Sequence, residues 1–161
     1  MTPANVEPVD ILLVEDNPTD AELAMKALRK RSLDHAVMWI KDGAEALDFV
    51  FGRGRYSGRA VGLPPKVILL DLRLPKVDGI EVLRTLKNDP RTRTIPVVML
   101  TSSKEHQDID ESYRLGVNSY VGKPVRYHEF LRVVSEIECY WLSMNHAPST
   151  PPFRLPPCPN P

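Results

Sequence analysis

Short apolar or β-branched runs alternate five times with stretches of helical spacing along this chain, and that alternation narrows its possible folds more than any other feature. The runs are Ile11–Val14, Ala36–Ile40, Val67–Leu70, Val97–Leu100 and Ser119–Val121. Asn17-Pro18 is a cap residue followed by proline at the first helical position, which opens a helix reaching about Arg31. Ala44, Leu47 and Phe51 mark a second helix. Ile80, Leu83 and Leu86-Lys87 mark a third that closes before Pro90. A fourth runs from about Asp108 to Leu115 and stops at Gly116, and the fifth carries Phe130, Val133, Val134, Ile137 and Trp141 on one stripe. Val-Ile-Leu-Leu and Val-Val-Met-Leu are apolar throughout, as strands covered on both faces must be. The spacing therefore predicts an α/β fold, a parallel sheet with helices on both sides. Ligands of such sheets sit beyond the carboxyl ends of the strands, where the strand order reverses.

Those ends carry chemistry. The first strand leads into Glu15-Asp16, the third into Asp71, the fourth into Thr101-Ser102-Ser103 and the fifth into Lys123-Pro124. Three carboxylates gathered at one edge of a buried sheet repel one another unless a cation compensates them. Oxygen donors of this kind suit Mg²⁺, which takes one or two carboxylates, water and a phosphate oxygen. Lys123 adds a point charge and Thr101 a hydroxyl, the parts needed to hold a phosphoryl group on a carboxylate. Taken singly, each has an ordinary role: Glu15-Asp16 as acids before a helix, Asp71 in a turn, Thr101 as a cap, Lys123 in solvent. Their order at successive strand ends is what separates this set from chance.

Composition bounds the alternatives. Lys plus Arg equals Asp plus Glu, 21 against 21, which gives no electrostatic reason to expect nucleic acid or an anionic membrane as partner. No apolar run has the length of a membrane span, and the first residues lack the features of a signal peptide, so a cytoplasmic protein is expected. Cys139, in a predicted helix, and Cys158, in a proline-rich segment, do not suggest a disulfide framework. Residues 1–8 read as an arm, 9–146 as one domain, and 147–161 as a proline-rich tail unable to hold a helix. No second domain is expected after the fifth helix. Phe51 to Pro65 reads as a long solvated link in which arginines interleave with Tyr56, a pattern that also suits a nucleotide patch.

Val14-Glu15-Asp16-Asn17-Pro18, Leu70-Asp71-Leu72-Arg73-Leu74-Pro75 with Asp78-Gly79, Leu100-Thr101-Ser102 and Lys123-Pro124 resemble the motif set of response-regulator receiver domains. The resemblance covers Val9 to Met144. It implies the flavodoxin-like (βα)₅ fold with strand order 2-1-3-4-5. It implies that Asp71 accepts a phosphoryl group from a sensor histidine kinase, and that the domain has phosphotransfer and autodephosphorylation chemistry without being an enzyme in its own right. Mg²⁺ or Mn²⁺ would be held by Asp16 and Asp71 directly, by Glu15 through water, and by the backbone carbonyl of Arg73. Thr101 and Lys123 would bind the phosphoryl oxygens, and the Lys123–Pro124 bond would be cis.

Tyr120 matches the family's aromatic switch, expected to turn inward on phosphorylation and shift the face made by the fourth helix, fifth strand and fifth helix. Arg73 and Ser103 fall where the family tunes hydrolysis; the expectation here is that Arg73 shields the phosphoryl group and lengthens its life. The extended link, Asn118-Ser119-Tyr120 and Tyr140-Trp141-Leu142 resemble single-domain regulators of bacterial phytochrome kinases. A homodimer through the switched face is expected, with Ile137, Tyr140, Trp141 and Met144 on one side of the fifth helix and Leu131 and Leu142 projecting away from it. Two other functions stand beside a switched output. One is a phosphate relay or sink, working with a histidine phosphotransfer protein. The other is an aspartyl-phosphate hydrolase, disfavoured because Arg73 stands where that chemistry needs a second aspartate.

Overall fold

The strands are β1 (Ile11–Val14), β2 (Val37–Ile40), β3 (Val67–Leu70), β4 (Val97–Thr101) and β5 (Ser119–Gly122). All neighbours are parallel and the order is β2-β1-β3-β4-β5, so the expected topology is observed. This computed structural model describes residues 8–31, 36–59 and 63–148.

Period-two alternation divides the sheet between two cores. Leu12, Val14, Ile68, Leu70, Val97 and Met99 face one side, where they meet Leu47, Phe49, Val82, Leu83 and Leu86. Ile11, Leu13, Val67, Leu69, Val98 and Leu100 face the other, against Ala24, Leu28, Phe130 and Val134. β1, β3 and β4 are buried along their whole length, and apart from Thr101 at the end of β4 they are wholly apolar; the edge strands β2 and β5 are half-buried. Each buried aliphatic side chain contributes ~1.5–3 kcal/mol.

The helices are α1 (Pro18–Arg31), α2 (Gly43–Phe51), α3 (Gly79–Asn88), α4 (His106–Leu115) and α5 (Tyr127–Glu138). Their ends follow from local chemistry. Asn17 Oδ1 accepts from the Thr19 and Asp20 N–H groups, at 2.9 and 3.2 Å, ahead of Pro18. Asp42 and Asp78 cap α2 and α3 in the same way. Gly52 and Gly116 close α2 and α4 in the left-handed conformation, with φ of 64° and 100°. Among the described residues, no helix is long and apolar enough to cross a membrane.

Three local expectations need correction. α5 continues into a π-helical turn, Cys139–Met144, whose wider turn shifts the angular positions of the side chains that follow. Leu142 therefore packs against the α1/α5 core with Ile137 and Trp141, and Leu131 joins them instead of projecting away. Tyr140 and Met144 remain exposed. The link after α2 is not simply solvated. Arg59 is 5% exposed, stacks 3.9 Å above the Phe49 ring, and donates to the carbonyls of Phe49 and Leu63 at 3.2 and 2.7 Å. Tyr56 meets Phe49 edge-on and donates to Glu45 at 2.7 Å, so these side chains tie the link to α2 rather than offering a basic patch. Lastly, no described peptide bond is cis, so Lys123–Pro124 is trans. Trans is the lower-energy X–Pro isomer by ~0.5–1 kcal/mol, and Lys123 reaches the acids from it. The Ser149–Pro161 part of the tail lies outside the described residues.

Candidate functional site

β1 has β2 on one side and β3 on the other, so the strand order reverses beside it. The Asp71 N–H donates to the Val14 carbonyl at 3.0 Å, and the Glu15 N–H to the Ile40 carbonyl at 3.0 Å. These ladder extensions carry both acids to the same edge of the sheet. Carboxylate oxygens of Glu15, Asp16 and Asp71 lie within 4.8 Å of one another; Glu15 and Asp71 are buried and Asp16 is exposed. Close approach on the far side depends on Gly79. A Cβ there would stand 2.1 Å from the Asp71 carbonyl oxygen and 2.8 Å from Leu72 Cα, so only glycine lets α3 begin against the Asp71 backbone.

Lys123 sits among the acids. Its Nζ lies 2.6 Å from Glu15, 3.0 Å from Asp20 and 3.1 Å from Asp71, with its side chain only 7% exposed. Its backbone is fixed by donation from its N–H to the Thr101 carbonyl at 2.7 Å, which ties the end of β5 to β4. Burial works to lower the Lys123 pKa. The Glu15 hydrogen bond and the charges of Asp71 and Glu15 outweigh it, so the ammonium is held on more firmly than usual. Glu15 shows the cost of the cluster. Burial, with the Asp71 charge added, pushes its carboxyl up to about 7 even though Lys123 and the Asn17 N–H pull the other way. One ammonium does not fully compensate these carboxylates. A divalent cation fits the oxygen-only donor set that remains.

Asp71 itself is oriented at both oxygens: Oδ1 accepts from the Leu72 N–H at 2.7 Å and Oδ2 from Lys123 at 3.1 Å. Thr101 ends β4 in a buried position, its hydroxyl accepting from the Ser103 N–H at 3.3 Å. Tyr120 is already half-buried against the core. Its hydroxyl donates to the Ser103 carbonyl at 3.0 Å, which fixes the ring beside the end of β4. Burial raises the Tyr120 pKa, which keeps that hydroxyl a donor. Arg73 and Ser103 meet on a shared acid: Asp108 Oδ2 lies 3.2 Å from Arg73 Nη2 and 2.5 Å from Ser103 Oγ.

Asp20 and Asp108 were not singled out in the sequence. Each had a weak signal as an acid in the first turn of a helix, but that position is favourable for any carboxylate and marks no site by itself.

The family model for the response regulator receiver domain matches residues 11–135. FilR2 of Methanothrix harundinacea, a probable methanogenesis regulatory protein, is 44% identical over 143 residues, covering 88% of this chain and 89% of that one. The structure of the phosphorylated cyanobacterial phytochrome response regulator RcpA superposes with a TM-score of 0.81 at 42% identity, covering 86% of this chain and 97% of that one. The Mn²⁺-bound form of Rcp1, a response regulator of Synechocystis, gives 0.80 at 39% identity, with 86% and 98% covered. The sheet order, the acids at its reversal point and these likenesses agree: the chain belongs to the response regulator receiver domain family.

Proposed function

We propose that this response regulator accepts a phosphoryl group on Asp71 from the phosphohistidine of a sensor kinase. One observation carries the assignment: of the three clustered acids, Asp71 is the one at the end of the central strand β3, between the Glu15-Asp16 end of β1 and the Thr101 end of β4, with its Oδ2 on Lys123. In the transfer, an Asp71 oxygen forms a bond to phosphorus as the kinase's phosphorus–nitrogen bond breaks and the imidazole leaves. Lys123, already within reach, pairs with the phosphoryl oxygens, and Thr101 stands at the end of the neighbouring strand to donate to them. Glu15, Asp16 and Asp71, with the Arg73 carbonyl, would hold a divalent cation, Mg²⁺ in our reading. Such an ion lowers the repulsion between the incoming phosphate and the acids and draws charge from the phosphoryl oxygens. The exchange requires no general acid or base from the chain, in keeping with a phosphoacceptor rather than an enzyme.

The likeness to a phytochrome response regulator supports a bacteriophytochrome as the kinase, and the cytoplasm is our reading of the place of transfer. Exposed Tyr113, Tyr140 and Met144 support self-association through the face made by α4, β5 and α5. Profiling transfer from a panel of purified phosphohistidine kinases tests the partner. A bacteriophytochrome should load the chain fastest under short incubation; faster loading by a kinase of another class overturns that assignment.

A further inference from the structure

Arg73 follows Asp71 by two residues, and its guanidinium lies on Asp108, in the first turn of α4. The same carboxylate oxygen, Oδ2, also accepts the Ser103 hydroxyl. The two members of the ion pair differ in freedom. The Asp108 side chain is 18% exposed and its backbone carbonyl accepts from the buried Ser112 hydroxyl at 2.7 Å; the Arg73 side chain is 68% exposed. Asp108 is thus the fixed partner and Arg73 the movable one. Ser103, which shares Asp108 with Arg73, is also held by Thr101 and Tyr120.

We propose that Asp108 is a positioning residue that sets how long phosphate stays on Asp71, by competing with the phosphoryl group for Arg73. The inference rests on Asp71 being the acceptor. An exposed ion pair is weak, and a phosphoryl dianion two residues away offers more charge and more acceptor oxygens than one carboxylate. When phosphate arrives, Arg73 divides its time between the two anions. Hydrolysis forms a bond from a water oxygen to phosphorus and breaks the phosphorus–oxygen bond to Asp71. The carboxylate is regenerated, and the water protons pass to inorganic phosphate and solvent. A guanidinium lying over the phosphoryl oxygens stands in the path of that water. Asp108 draws it back, so the water path stays open and the signal is short-lived. Release of Arg73 from Asp108 also unties the β3–α3 loop from α4, which links occupancy of Asp71 to the α4 surface.

The test loads wild type, Asp108→Asn, Arg73→Ala and the double variant with acetyl phosphate and Mg²⁺. The donor is then removed, and loss of protein-bound phosphate is followed by intact-mass measurement. Asp108→Asn should lengthen the half-life by about two- to fivefold, the factor an exposed ion pair is worth. Asp108→Ala should do the same, and Asp108→Glu should stay close to wild type. Arg73→Ala should decay faster than wild type, and the double variant should match Arg73→Ala, because without the arginine there is nothing to compete for. An unchanged half-life in both Asp108→Asn and Asp108→Ala overturns the proposal. So does a lengthening that persists in the Arg73→Ala background, which would mark a structural effect of Asp108 alone. Failure of the acceptor assignment looks different: phosphate would load onto an Asp71→Asn control as it does onto wild type.

Discussion

Replacing Lys123 with methionine keeps the side-chain stem and removes an ammonium that touches Glu15, Asp20 and Asp71. Leaving buried charges without their partner costs about 3–5 kcal/mol. Two features place this site at the lower end. Asp20 is 29% exposed and keeps some hydration, and Glu15 can escape its charge by taking up a proton near neutrality. We expect a loss of about 3 kcal/mol at pH 8 in the metal-free protein. The pH dependence follows from Glu15, whose folded pKa is raised from 4.5 to about 7. A raised carboxyl pKa means the folded state holds the proton more tightly. Its stabilising contribution is complete below the unfolded value and is lost as pH rises through 7. Lys123 pulls that pKa down, so in its absence Glu15 stays protonated to higher pH. The difference between wild type and variant should therefore be smaller at pH 6, by roughly 1.4 kcal/mol, than at pH 8, and grow further towards pH 9. Urea unfolding in EDTA, read by Trp39 and Trp141 fluorescence, measures it by linear extrapolation. Adding Mg²⁺ to a hundredfold excess over its dissociation constant returns about 2.7 kcal/mol. A variant within about 0.5 kcal/mol of wild type at pH 8, with an unchanged slope, would show that Lys123 is not the counter-charge of this cluster.

Gly79→Ala places a Cβ 2.1 Å from the Asp71 carbonyl oxygen, so the start of α3 must move. Loading from acetyl phosphate should slow by at least about tenfold even where the variant folds, since displacement of a reacting group by about 1 Å costs up to a hundredfold. Arg59→Ala uncovers the Phe49 face and removes the guanidinium donors to the Phe49 and Leu63 carbonyls. It should cost about 2–3 kcal/mol in urea unfolding and speed proteolytic cleavage within residues 52–65, with phosphate loading unchanged.

The fold was legible because its determinants are local and repeated. Fully apolar runs can only be strands covered on both faces, and Asn17-Pro18 and Gly116 punctuate helices by backbone chemistry that acts within a few residues. The site's principal members were legible for a related reason: strands place their ends at one edge, so Glu15, Asp16, Asp71, Thr101 and Lys123 are brought together by topology alone. What stayed hidden depends on side chains meeting across long separations. Lys123 reaches Asp20 across 103 positions, and Arg73 reaches Asp108 across 35. Arg59 in a glycine-rich link looks solvated until Phe49 is known to lie beneath it. The π-helical turn after α5 obeys no residue pattern that separates it from an ordinary last turn.

The central claim is that phosphate enters at Asp71 in a crevice whose acids are compensated by Lys123 and a divalent ion. Peptide mapping after acetyl-phosphate loading, on wild type and Asp71→Asn with Mg²⁺ or EDTA, tests it most directly. Phosphate on the Val67–Arg73 segment of wild type with Mg²⁺, with none in EDTA and none in Asp71→Asn, is the predicted result. Phosphate elsewhere on the chain, or undiminished loading of Asp71→Asn, would contradict it.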